Sequence, residues 1–113
     1  MRNVEIAVRL APGVRPPDTP VTLRVQIEEI TAADAAAHVV SRTSAPDVDL
    51  GAAAQVTLEV PEPDPRARYT VRVHADVDGS GSVAPEDFVS QQSNPVLTQG
   101  SSDSVDVEVR PAR

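Results

Sequence analysis

A chain of 113 residues, 40% of them apolar, is the size of one domain and buries roughly two-thirds of the surface its unfolded form exposes. Its formal charge is −7 and all ten basic residues are arginines scattered along the chain, so a phosphate backbone is repelled and nucleic acid is excluded as a partner. The absence of cysteine removes disulfide frameworks, thiolate metal sites and cysteine nucleophiles, and Tyr69 and Phe88, the two aromatics, leave little surface for stacking on bases or sugars.

Alternation of apolar and polar residues with period two dominates the pattern and predicts strands. Val4, Ile6, Val8 and Leu10 alternate with Glu5, Ala7 and Arg9, and after the proline-rich connection Pro12 to Pro20 the pattern resumes with Val21, Leu23, Val25 and Ile27. Thr31 to Ala37 is rich in alanine but has no amphipathic stripe, which suits a turn or one short helix. A weaker strand is expected around His38 to Thr43. Clean alternation returns at Val56, Leu58 and Val60, and, beyond the prolines from Pro61 to Pro65, at Tyr69, Val71, Val73 and Ala75. A second weak strand is expected from about Phe88 to Ser93, and the last is Val105, Val107 and Val109.

Seven half-polar strands separated by proline, glycine and aspartate turns predict an all-β fold, a single seven-stranded antiparallel β-sandwich over residues 1–113. The expected inward set includes Val21, Leu23, Val25 and Ile27 with Val71, Val73, Val105 and Val107. No stretch approaches the roughly 20 apolar residues of a membrane span, and Met1 to Ile6 alternates where an export signal would run apolar. As given, the chain reads as cytoplasmic, or as a mature or trimmed form of an envelope or extracellular protein.

Asp76 to Asp87 follows the spacing of a twelve-residue calcium loop. Asp76, Asp78 and Ser80 stand at ligand positions 1, 3 and 5, Gly81 at the sharp turn, the Ser82 carbonyl at position 7, Val83 at the apolar eighth, and Asp87 at position 12. A hard divalent cation needs six to eight converging oxygens, and alternate residues of a tightly turned loop supply them. Position 12 lacks the bidentate glutamate of strong sites, and the preceding segment is a strand, so the expected dissociation constant is on the order of 10⁻⁴ to 10⁻³ M. The alternative is a solvated hairpin turn, because Asp-Gly and Ser-Gly are strong turn formers.

Nothing in the spacing brings His38 and His74 together, and His74 is expected on the outward, solvated face of its strand. Glu28 and Glu29 read as a strand end meeting solvent, and no nucleophile elbow, phosphate loop or dinucleotide fingerprint occurs. The chain therefore reads as noncatalytic.

Three stretches resemble the YbaY/YscW-like family of small lipoproteins and type III secretion pilot chaperones: Val21 to Asp34, Asp64 to Val73, and Asn94-Pro95-Val96-Leu97-Thr98-Gln99-Gly100 with the strand that follows. The resemblance implies a prealbumin-like β-sandwich and a role in escorting an outer-membrane secretin. The expected function is a noncatalytic protein-binding or assembly module of envelope or secretion type with a calcium-binding loop. The alternatives are a structural β-sandwich whose loop binds no metal, and a carbohydrate-binding module.

Overall fold

The computed structural model describes residues 2–30, 38–64, 66–92, 94–97 and 103–112, and eight strands run through them. They are β1 (Arg2–Leu10), β2 (Val21–Glu29), β3 (His38–Val48), β4 (Ala54–Val60), β5 (Tyr69–Asp76), β6 (Phe88–Val89), β7 (Pro95–Val96) and β8 (Ser104–Pro111). The helical candidate from Thr31 to Ala37 lies outside the described residues. Among the described residues, no helix is long and apolar enough to cross a membrane.

The strands form one sheet in the order β3-β2-β5-β6-β8-β1-β4, with β7 paired to the start of β5. The sheet curls until its end strands β3 and β4 meet, where the Ser41 hydroxyl donates to the Glu59 carbonyl at 2.8 Å. The result is a nearly closed, barrel-like sheet, where two stacked sheets were expected. It is also mixed and not antiparallel throughout, because β1 and β8 run parallel in the register Glu5↔Ser104 to Leu10↔Val109. Alternation along a strand fixes which face is buried but carries no information about the direction of the neighbour.

The eighth strand, β7, comes from Pro95 and Val96, in a stretch that has too few residues to show a period. It is tied to β5 by the Asn94 amide, which donates to Thr70 Oγ1 at 3.0 Å, and by the Val71 amide, which donates to the Asn94 carbonyl at 3.0 Å. Strand β3 is longer than its pattern suggested because it bulges. Between Val21↔Val48 and Leu23↔Ala45 two β3 residues, Pro46 and Asp47, oppose Thr22, and Asp47 takes a φ of 57°. A proline is tolerated there because β3 ends the sheet and its outer N–H groups have no ladder to serve.

The inward residues of the curled sheet make one core. Val4, Ile6 and Val8 of β1, Leu23, Val25 and Ile27 of β2, Val71 and Val73 of β5, and Val107 and Val109 of β8 are all buried. Each such side chain contributes about 1.5–3 kcal/mol by leaving water. Val105, expected inside, is only partly buried and packs against the edge of this cluster.

The core requires the opposite alternation on the outer face of β2 and β5, and pairing then brings outward residues side by side. Arg24 lies opposite His74 and Gln26 opposite Arg72 in the β2–β5 register, while Gln26 also faces Arg42 and Arg24 faces Ser44 across β3. The connection from Asp76 to Asp87 leaves β5 at the end of this face.

Candidate functional site

The acidic connection is closed by its own hydrogen bonds. Asp76, fully buried, accepts the Gly79 amide on Oδ1 at 3.0 Å and the Gly81 amide on Oδ2 at 2.7 Å. Arg24 Nε reaches the same Oδ2 at 3.1 Å. Gly79 and Gly81 hold φ values of 72° and 86°, the left-handed conformation that turns their N–H groups inward and that glycine adopts without a Cβ penalty. Asp78 accepts the Ser80 amide at 3.0 Å, and Ser80 Oγ donates to the Ser82 carbonyl at 3.2 Å.

Asp87, also fully buried, closes the other end. Its Oδ1 accepts the Val77 amide at 2.9 Å, and its Oδ2 accepts the Ala84 amide at 2.9 Å and contacts His74 Nε2 at 2.8 Å. Burial by itself raises the Asp76 carboxyl, but the Gly81 amide, the Asp78 side chain and Arg24 outweigh it, and the group is lowered from 3.8 to about 2. For Asp87 burial again pushes upward, and the His74 contact with the Ala84 and Val77 amides holds the carboxyl below its ordinary value.

Of the five residues singled out by spacing, the structure brings the Asp76 and Asp87 carboxylates together. His74 joins them, and the three offer ligand atoms within 4.8 Å of one another. Asp78, Ser80 and Ser82 stay on the exposed rim, and Val83 is 61% exposed, so it adds no packing to the loop. A cation at this cluster competes with the Arg24 guanidinium for Asp76, which weakens its hold.

Two sequence readings need correction. His74 is not a solvated strand residue, since its side chain is 14% exposed and bound to Asp87. Glu28 is not a strand end meeting solvent. Its carboxylate is 7% exposed, accepts Gln26 Nε2 on Oε2 and pairs through Oε1 with Arg72 Nε at 3.4 Å. Arg24 was missed altogether. Its signal was its outward position in β2, but only the register places it beside His74 and within reach of Asp76.

A His–Asp contact is half of a general-base arrangement, which also needs a nucleophile on the remaining ring nitrogen. Among the described residues no hydroxyl bonds that nitrogen of His74.

Comparison with known proteins agrees with this architecture. The solved structure of an alternative pilotin from the type II secretion system of Vibrio cholerae superposes with a TM-score of 0.76 at 15% identity, covering 99% of this chain and 97% of that one. A search of curated proteins finds no match. The model of the type III secretion system lipoprotein chaperone family, YscW, matches residues 1–109, and the chain belongs to that family.

Proposed function

We propose that the chain is a noncatalytic binding module that assists the assembly of an envelope secretion system by holding a protein partner, with an outer-membrane secretin as the first candidate. The observation that carries this reading is the family match over residues 1–109, and the pilotin-like fold supports it. A nearly closed sheet with a rigid valine-rich core suits a module that docks a partner without changing its own shape. The test is size-exclusion of the purified chain mixed with the secretin encoded in the same genome. A stable complex is expected, and its absence at about 50 µM of each protein, well above the range of useful assembly affinities, overturns the assignment.

A second role rests on the acidic loop. Asp76, Asp78, Ser80 and Asp87, with the Ser82 carbonyl, are proposed to take calcium weakly, a reading favoured by the position-1 and position-12 carboxylates meeting at one point. Calcium should then raise the melting temperature at about 10 mM, roughly ten times the weaker expected constant, and magnesium should do less. Identical melting in calcium and in excess chelator makes the loop a structural turn and leaves the assembly role untouched.

A further inference from the structure

The outer face of β3, β2 and β5 carries a feature that the acidic loop uses only in part, through Arg24 and His74. Arg24, Gln26, Arg42, Arg72 and His74 line an open cleft of about 530 Å³, with Gly81 of the loop at its edge. The placement follows from register, with Arg42, Gln26 and Arg72 in one row across the three strands and Arg24 with His74 in the next. Successive rows on one face are ~6.8 Å apart and neighbouring strands ~4.8 Å apart, so three guanidinium groups share one small patch.

Their internal partners occupy one side of these groups only. Arg24 meets Asp76 through Nε, and Arg72 meets Glu28 through Nε. The outer nitrogens of both make no hydrogen bond among the described residues, and Arg42 has neither a hydrogen bond nor an ion pair through its head group there. Arginine presents these nitrogens as a fork that matches a carboxylate with two parallel bonds. A chain of charge −7 thus concentrates unused donors for an anion on one face.

We propose that this cleft is the docking site for an extended acidic segment of a protein partner. The inference rests on the assembly reading for its biological setting and names the surface through which a partner is held. Arg42, the one arginine of the cleft with no carboxylate partner among the described residues, and the remaining donors of Arg24 and Arg72 select an anionic occupant. An anionic membrane is a wide flat surface that meets far more of a chain of charge −7 than the cleft, whereas a narrow segment confines its charge to the arginines. A nucleotide base finds no stacking surface, because Tyr69 and Phe88 are both buried in the core. An extended peptide with acidic residues at alternate positions repeats its carboxylates at the same ~6.8 Å spacing as the rows of the cleft.

The test titrates the full chain, in chelator, with a capped peptide of alternating aspartate and serine, followed by calorimetry and by amide chemical shifts. Binding is expected with shifts centred on β2, β3 and β5, with affinity falling as salt rises. Arg42→Glu and Arg72→Glu should each weaken it at least about tenfold, as should replacing aspartate by asparagine in the peptide. Arg42 is exposed and has no partner among the described residues, so Arg42→Glu and Arg42→Gln remain informative even if loss of the Glu28 pair prevents Arg72→Glu from folding. No binding at about 1 mM peptide overturns the proposal, as does equal binding by the variants, inorganic phosphate binding as tightly as the peptide, or association with anionic phospholipid vesicles instead. If the secretin complex forms equally well with Arg42→Glu, the cleft fails while the assembly role stands. If the acidic peptide binds but no secretin complex forms, the assembly role fails while the cleft stands.

Discussion

The acidic loop and the arginine cleft meet at Arg24 and His74, and each handles buried or crowded charge in its own way. In the loop, both oxygens of Asp76 and both of Asp87 accept bonds from the chain itself, four from loop amides and two from Arg24 and His74. In the cleft, Arg24 and Arg72 use one nitrogen inward and leave the rest outward, and Arg42 uses none among the described residues. A satisfied carboxylate is part of the scaffold, whereas an unsatisfied, exposed guanidinium adds little stability and retains its capacity to bind. The loop should therefore respond to mutation through stability and the cleft through affinity.

The largest effect should come from Asp87→Ala. It strands the Val77 and Ala84 amides and His74 in a buried place, and a loss of about 3 kcal/mol is expected from chemical denaturation. A change under 1 kcal/mol, on that same scale, would place Asp87 outside the scaffold.

Acid comes next. The Asp76 carboxyl is lowered from 3.8 to about 2, so the charged form is the one the folded chain holds. Its contribution is complete above pH 4 and is lost as pH falls towards 2, when the folded chain must also take up the proton. About 2 kcal/mol should disappear across that window, with Asp87 adding in the same direction. Urea midpoints at pH 5, 3 and 2 measure it, and a flat profile would show that the loop amides do not hold the carboxylates.

Gly81→Ala should cost about 1 kcal/mol, because the residue holds a φ of 86° with open space around it, so the penalty is conformational and not steric crowding. The smallest effect is Arg42→Gln, which should leave stability within about 0.5 kcal/mol of the parent while weakening acidic-peptide binding. A large stability loss there would make the cleft part of the scaffold and erase the contrast with the loop.

The sequence by itself determined where most strands lie and which of their residues face inward, because the pleat repeats every two residues and leaves its mark on any half-buried strand. It also marked Asp76 and Asp87 as the two ends of one acidic turn, since glycines at Gly79 and Gly81 are needed where the backbone goes left-handed. The tertiary structure alone decided the rest. The parallel meeting of β1 with β8, the short strand at Pro95 and the closing of β3 towards β4 depend on which segments become neighbours, and alternation does not encode that. The same holds for His74 against Asp87, Arg24 against Asp76 and Glu28 under Arg72. These pairs are separated by 13 to 52 positions along the chain, and only the registers between strands and the curl of the sheet bring them to bonding distance.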